Sequence, residues 1–284
     1  MICTTYNELK KPLPLWNPKG IYYSTISFLM KTVGRTSNGI DIGYRYGFDS
    51  GVMLEYVYRN KSSGRFGIGK LIDRVYLGAP GWVGIRNRGE LVTQTIRDAV
   101  ETLYVEQGNP VKIVDLGCGG GRYVLEALGA LPHIETVVIL RDYRKENVQS
   151  AQDLAKELGL NVKVEQADAF SDFDLQSLED FQPDLVIVSG LHEIIEDDYL
   201  VQNHFRQISA LLETGGKMVF TIQPDHPQHE FIARVLPSHT RNLWVMRLRE
   251  FELTQSWARA ADLRIENHAM EAQNIFGVVT ATKD

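Results

Sequence analysis

Three acids in the middle of this chain stand where apolar runs end. Asp115 lies in Val111-Lys-Ile-Val-Asp-Leu-Gly-Cys-Gly-Gly-Gly-Arg122, Asp142 follows Thr136-Val-Val-Ile-Leu-Arg141, and Asp168 follows Asn161-Val-Lys-Val-Glu165. A carboxylate only accepts hydrogen bonds, so its natural ligands are hydroxyl, amino and ammonium groups. The first acid opens a glycine cluster, Asp115-x-Gly117-x-Gly119-x-Gly121. Without Cβ atoms the backbone there can turn sharply and a ligand can lie against it. A dinucleotide-binding loop would put Gly or Ala three residues after the second glycine, where Arg122 stands, and a phosphate loop would continue with Gly-Lys-Ser/Thr. Neither is present, so the loop suits a zwitterionic or cationic ligand better than a pyrophosphate. The plainer alternative is a glycine-rich turn with no ligand.

The surrounding pattern supplies the elements that must hold these acids. Val111 and Ile113 alternate as in a strand, and Arg122-Tyr-Val-Leu-Glu-Ala-Leu128 reads as the helix after the loop. Before it, Val92, Ile96, Ala99, Val100 and Leu103 recur at helical spacing over 89–106, ended by Gly108-Asn-Pro110. Thr136–Arg141 predicts the second strand. Val148, Ala151, Leu154, Ala155 and Leu158 predict a helix stopped by Gly159, and 161–165 the third strand. Asp184-Leu-Val-Ile-Val-Ser-Gly190 is apolar throughout, as buried parallel strands are. Tyr199–Glu213 reads as an amphipathic helix, Lys217–Gln223 as the fifth strand, Leu253–Leu263 as a helix, and 264–271 with 275–282 as a closing hairpin. Open parallel sheets bind ligands at the carboxyl ends of strands, where strand order reverses. Those ends carry Asp142, Asp168, His192 in Leu191-His-Glu193, and Gln223.

Asp-Leu-Gly-Cys-Gly-Gly-Gly resembles motif I of the class I S-adenosylmethionine (SAM) methyltransferases, and Asp142-Tyr-Arg-Lys-Glu-Asn-Val resembles that family's Asp-x-Ser-x-Glu-Asn-Ile, with Arg144 in place of the Ser. The resemblance implies an α/β fold: a Rossmann-like seven-stranded sheet of order 3-2-1-4-5-7-6, the last pair antiparallel, with an N-terminal cap. It implies SAM as cofactor. Asp115, Gly117, Gly119 and Gly121 would form the loop beneath it, and Asp142 with Tyr143 would meet the ribose. Asp168 would accept from the adenine amino group, the backbone of Ala169 would lie on the ring, and Ser189 would complete the set. Asp142 as a helix N-cap is the structural alternative, and the two roles are compatible. His192 and Gln223 are the candidate catalytic residues beside the methyl group.

The chain divides in expectation into a cap over 1–88 and the methyltransferase core over 89–284. Residues 1–20, rich in Pro and Lys, should run extended over the surface, and apolar 21–33 should form a helix that packs on the core or lids the substrate. Over 40–90, Tyr and Arg interleave (Tyr56-Val-Tyr58-Arg59, then Gly81-Trp82 and Arg86), a combination that can clamp planar anions or simply face solvent. This run is similar to the N-terminal part of bacterial methyltransferases described as making 3-hydroxy fatty acid methyl esters, a quorum signal, some of them fused to an α/β-hydrolase. No Gly-x-Ser-x-Gly elbow occurs here. Tyr56, Tyr58, Arg59, Trp82 and Arg86 are thereby the substrate candidates.

Charge is unevenly spread. Of 284 residues carrying a net −6, residues 1–70 hold ten Lys/Arg against four Asp/Glu, and the rest hold 20 against 32. A basic front on an acidic body suggests a carboxylate substrate, an acidic acyl carrier or a peripheral lipid surface, or else only a solvated basic face. Nucleic acid is not expected as a partner: the acidic core has no broad basic stripe and no Asn/Asp-Pro-Pro-Tyr element. No apolar run approaches the ~18 residues of a membrane span. Two cysteines, Cys3 and Cys118, are too few for a disulfide framework, and no signal-peptide order opens the chain, so a cytoplasmic location is expected. His226, His229 and His239 lack metal-ligand spacing, and a substrate-side loop is preferred to a metal site.

Two chemistries remain. A carboxylic acid acceptor, which ordinarily titrates at about pH 4, is already ionised and needs only a positioned pocket. A hydroxyl or amine of a small aromatic or lipid compound needs proton removal, for which His192 is the candidate base. A SAM-binding protein without catalysis is the third possibility.

Overall fold

The structure is a computed structural model describing residues 6–14, 16–108 and 110–284. Its elements in chain order are α1 (Tyr6–Leu9), α2 (Pro18–Lys31), α3 (Asn38–Tyr46), α4 (Gly51–Arg59), α5 (Ile68–Leu77), α6 (Pro80–Gln107), β1 (Val111–Leu116), α7 (Arg122–Gly129), β2 (Thr136–Asp142), α8 (Lys145–Glu157), β3 (Lys163–Gln166), α9 (Asp172–Gln176), β4 (Leu185–Val188), α10 (Asp198–Leu211), β5 (Lys217–Ile222), α11 (His229–Val235), α12 (Phe251–Arg259), β6 (Leu263–Met270) and β7 (Gly277–Lys283). Two compact units result: Met1–Arg86 with Asp225–Leu248, and Asn87–Pro224 with Arg249–Asp284. The expected division at residue 88 left 225–248 with the core, whereas that stretch clusters with the first 86 residues.

The first unit is helical where the sequence pattern was least decisive. Serines cap two of its helices: Ser37 accepts from Ile40 N and Ser50 from Met53 N. Its centre is Asp73, fully buried on α5. One oxygen accepts from Ser37 Oγ (2.6 Å) and Gly39 N (2.8 Å), the other from Tyr56 Oη (2.5 Å) and Ser63 N (2.9 Å). A carboxylate that deep survives only when its lone pairs are used in this way. Gly39 must lack a side chain, because a Cβ would come within 2.8 Å of Asp73 Oδ1 and 2.9 Å of the Tyr56 and Tyr76 rings. Around this knot the aromatic residues pack edge to face, Tyr44 on Phe48, Phe48 on Tyr76 and Tyr76 on Trp82, with Trp82 stacked on Trp244. Residues 1–20 are not uniformly extended: α1 forms a turn of helix, and α2 starts at Pro18 with Asn17 capping it.

The second unit holds one seven-stranded sheet, β3-β2-β1-β4-β5-β7-β6. The first five strands pair in parallel, and β7 runs antiparallel to both β5 and β6. Side chains alternate between two cores, as strand geometry requires. Val114, Leu116, Val186, Val188, Met218 and Phe220 face the layer that includes Phe205 and Ile208 of α10 and Trp257 of α12. Ile113, Leu140, Leu185, Ile187 and Val219 face the layer of Val92 and Ile96 of α6, Val124 and Leu125 of α7 and Ala151 of α8. The order reverses between β1 and β4, which opens a crevice at their carboxyl ends.

Candidate active site

Motif I sits at that reversal. Gly117, Gly119 and Gly121 all have positive φ (+76°, +56°, +69°), which only glycine adopts freely. Their surroundings differ. A Cβ on Gly121 would strike Leu140 at 2.9 Å, so this glycine seats α7 against the sheet, whereas a Cβ on Gly119 would meet nothing within 4 Å. Gly119 therefore borders open space, room for a ligand to lie on the backbone. The loop is lashed to the end of β2: Gly117 N and Cys118 N both donate to the Arg141 carbonyl at 2.9 Å.

Asp142 completes the lashing. Oδ2 accepts from Gly119 N (2.9 Å), while Oδ1 accepts from Arg144 N (2.9 Å) and Asn147 Nδ2 (3.0 Å). Arg144, at the N-cap of α8, makes no side-chain cap of its own, and Asp142 ties down this helix start through the Arg144 N–H and the Asn147 side chain. Each carboxylate oxygen has two lone-pair sites, so Oδ2 can still accept a hydroxyl.

Asp115 is different. It is 4% exposed and its Oδ1 has no partner. Burial first, then the negative charge of Asp142, pushes its carboxyl up to about 8. Ser189 Oγ, one residue past β4, is also buried without a partner. Orphaned acceptors of this kind are expensive unless a donor arrives. An unpartnered carboxyl, an unpartnered hydroxyl and open backbone at Gly119 fit a ligand bearing an ammonium group, and so fit the amino-acid end of SAM.

Asp168 and Tyr143 stand at the ends of the neighbouring strands, where Asp142 pairs with Gln166 in register. Tyr143 is 69% exposed and its carbonyl accepts from Gln166 Nε2. Asp168 is exposed, its Oδ1 accepting from Phe170 N (3.0 Å), and Ala169 beside it is buried.

On the other side of the reversal, His192 turns inward. It is 5% exposed, its Nε2 lies 2.9 Å from His204 Nδ1, and its ring packs on Phe205. Burial, then the charges of His204 and Arg249, holds it well below the ordinary histidine value, so it is neutral near pH 7. Arg249 fixes this corner by donating to the carbonyls of His192 (2.7 Å) and Ile195 (2.6 Å) and to Asp198 Oδ1 (2.9 Å). Its own N donates to the carbonyl of Gln223, which is 4% exposed. Next to His192, Glu193 is 9% exposed and neither carboxylate oxygen has a partner.

The substrate candidates of the first unit have mixed fates. Tyr56 is committed to Asp73 and Ser63, and burial plus the Asp73 bond raises its hydroxyl to about 12. Trp82 is 5% exposed within the aromatic cluster. Arg59 is exposed and paired with Glu55 on its own helix, and Tyr58 is half-buried on the same helix. Arg86 donates from Nη2 to the Leu77 carbonyl, but its buried Nη1 has no partner.

The three histidines are separately engaged: His226 Nδ1 accepts from Gln228 N, His229 meets the Met246 carbonyl, and His239 pairs with Asp49. Among the described residues, no group of three or more His, Cys, Asp or Glu side chains is arranged to hold a metal ion. No helix among them is long and apolar enough to cross a membrane.

Sequence reasoning missed His204, Arg249, Asp73 and the pairing needs of Glu193 and Arg88. His204 had a signal, since it lies on the apolar stripe of α10 between Val201 and Phe205 and is fully buried.

The chain is 38% identical over 275 residues to the uncharacterized protein YnbC of Escherichia coli K12, covering 96% of this chain but 46% of that one, so it spans about half the length of that relative. Its fold is similar to a crystal structure described as a possible exported protein from Bordetella parapertussis (TM-score 0.59, 19% identity, 81% of this chain and 79% of that one). It is similar also to magnesium protoporphyrin IX methyltransferase from Synechocystis PCC 6803, crystallised with SAH (TM-score 0.55, 12% identity, 92% and 99%). The expected seven-stranded order is the observed one. With residues 1–283 matched by the family described as "Putative methyltransferase", the chain belongs to that family.

Proposed function

We propose that this protein is a SAM-dependent O-methyltransferase that esterifies the carboxylate of a hydrophobic acid, with a free 3-hydroxy fatty acid as the acceptor class and a methyl ester signal as product. The observation that carries the cofactor half is the open glycine loop at Gly119 beside the buried, unpartnered Asp115 Oδ1. Family membership and the fold shared with a neighbour crystallised with SAH support it.

SAM, when bound, supplies a methyl group already activated on a cationic sulfur. Asp115 would receive its ammonium, Asp142 its ribose hydroxyls and Asp168 its adenine amino group. Tyr143 and Ala169 would flank the nucleoside, and Ser189 the amino-acid end. The chain's contribution is then alignment, and holding two reactants in line can lower a barrier by ~7–11 kcal/mol. An ionised carboxylate acceptor asks for no base. Taken by itself, the first unit is rich in aromatic side chains, and the buried Nη1 of its Arg86 lacks a partner, features in keeping with a hydrophobic acid as ligand. The basic front over residues 1–70 suits an acidic carrier or a lipid surface. Sparse cysteine usage supports the cytoplasm as its location; Cys3 lies outside the described residues.

The test is incubation of purified protein with methyl-labelled SAM and long-chain 3-hydroxy acids. An ester releases its label as methanol in mild alkali. Label recovered in an alkali-stable product instead selects a hydroxyl or amine acceptor. Glu193 favours that second reading, because a buried unpartnered carboxylate welcomes a hydrogen-bond donor more readily than a second anion.

A further inference from the structure

Helix α2 is apolar on the side that faces solvent. Ile21, Tyr22, Phe28, Leu29 and, just past its end, Val33 are all exposed, and their spacing sets them along one stripe. The exposed threonines between them add little polarity. Thr25 Oγ1 donates to the Ile21 carbonyl and Thr32 Oγ1 to the Phe28 carbonyl, each at 2.8 Å, so both hydroxyls are turned back onto the helix. The side that carries Tyr23, Ile26 and Met30 is half-buried. A helix apolar on both sides calls for a second apolar surface.

The stripe continues within the same unit. Val33 opens a 3-10 turn, Val33–Thr36. The Thr36 carbonyl accepts from Arg65 N (2.8 Å) and lies so close to Gly69 of α5 that no Cβ would fit there. The end of α2 and the start of α5 are thereby neighbours. Ile68, Leu71 and Val75 of α5 are exposed and share one face of that helix. Just before them, Phe66 is 88% exposed and held at φ +57°, a left-handed conformation that a bulky side chain adopts only under strain.

Cations rim these side chains. Lys61, Arg65, Lys70 and Arg74 are exposed, and the one acid in residues 60–75, Asp73, is buried among its four donors. Asp41, Asp49 and Glu55, three of the four acids in residues 1–70, are paired with other groups: Asp41 with Arg35 and Arg45, Asp49 with His239, Glu55 with Arg59. The positive charge beside the stripe is therefore not cancelled. An acidic protein would use the cations and leave the apolar stripe bare. A second copy would cover the stripe and bring like charges together. A bilayer with anionic headgroups offers phosphates and acyl chains at one surface, and so answers both features.

We propose that this face of the first unit docks the protein on an anionic lipid bilayer. Phe28, Leu29 and Phe66 enter the boundary between headgroups and acyl chains, and Lys61, Arg65, Lys70 and Arg74 lie against the phosphates. Helix α2 rests along the surface, since its 14 residues reach only about 21 Å against a hydrocarbon core of ~30 Å. The surface stands whichever acceptor is methylated, and its test uses no SAM.

The experiment is co-sedimentation of the full chain with vesicles of phosphatidylcholine alone, and of phosphatidylcholine with an equal part of phosphatidylglycerol. Wild type should bind the anionic vesicles, bind the zwitterionic ones far less, and lose binding as salt is raised. Phe28→Gln with Phe66→Asn should lower partitioning about 10-fold or more. Asparagine tolerates the left-handed backbone at 66, and both positions are exposed, so the melting temperature should hold. Lys70→Gln with Arg74→Gln should cost about 5-fold for each charge removed. Wild type left in the supernatant with both vesicle types overturns the proposal. So does partitioning that falls in the charge variant and is unchanged in the phenylalanine variant, which would mark a purely electrostatic face fit for an acidic protein. Self-association without lipid that the phenylalanine variant abolishes, seen by sedimentation velocity, gives the face to a second copy and overturns it too.

Discussion

His192 Nε2 and His204 Nδ1 lie 2.9 Å apart in the interior of the second unit, and the two rings meet edge to face with centroids 5.2 Å apart. One proton is shared by two neutral imidazoles, so the tautomer of one sets that of the other. If His204 accepts, His192 keeps a basic Nδ1. His204 then acts as a positioning residue for whatever His192 does.

Replacing His204 with Ala should strand the His192 nitrogen and cost about 1–3 kcal/mol of stability. His204→Asn, whose amide oxygen can still accept, should recover most of that loss. If turnover uses His192 as a base, kcat should follow the same order while the KM for cofactor stays unchanged. Thermal melts and steady-state kinetics on the two variants check both parts.

Acid should weaken the fold through these same rings. His192 is held well below its ordinary value, and His204 and His226 are lowered to about 4, mainly by burial. The unfolded chain takes up protons near pH 6.5 that the folded chain refuses, so stability is lost as pH falls from about 6.5 towards 4. His204→Asn should flatten this slope in melts recorded across that range. A rate profile should show no inflection near 6.5 from His192.

Asp115 works in the opposite direction. Its folded value of about 8 lies above the unfolded 3.8, so the folded chain holds a proton that the unfolded chain releases. Stability therefore declines as pH rises from about 4 to about 8. Asp115→Asn should raise the melting temperature of the ligand-free protein at pH 8, by roughly 2–4 °C for each kcal/mol relieved, and bring no gain near pH 4. An arriving ammonium should expel the proton. The binding enthalpy of SAM below pH 8 should then vary with the ionisation heat of the buffer, and in Asp115→Asn it should not.

Asp142→Ala removes three hydrogen bonds that tie the glycine loop to the start of α8. The expected result is a loss of about 10-fold or more in SAM affinity, the scale of one or two charge-assisted bonds. Cofactor retained as tightly as in wild type would remove this pocket from consideration.

Cys118 stands in the same loop with its thiol pushed well above the usual range, by burial and then by Asp115 and Asp142. Thiolate is the reactive form. In a Cys3→Ser background, iodoacetamide at pH 8 should label native protein far more slowly than urea-unfolded protein, as intact mass would record.

Much of the sheet was legible because β1, β2 and β4 are largely apolar runs closed by Gly, Asp or Ser, and the family's strand order could be laid over the rest. Asp142 and Asp115 could be placed from the sequence since both close such runs. What could not be read was partnership. Nothing local to residue 204 says that its ring meets residue 192, and Arg88 sits inside a long helix, Pro80–Gln107, whose pattern does not announce which cations are buried. Helices α3 to α5 were obscured by glycines and tyrosines that serve contacts distant in sequence, Gly39 against Asp73 being one. The stretch 225–248 interrupts the sheet in sequence and joins the first unit in space, a long-range fact with no local signature.

Asp73 has an evolutionary consequence. Its four donors come from positions 37, 39, 56 and 63, and the space it fills exists only because residue 39 is glycine. None of these five positions can drift alone. Substitutions there should appear in descendants as concerted sets, or be followed quickly by compensation, while exposed neighbours such as Arg59 vary freely.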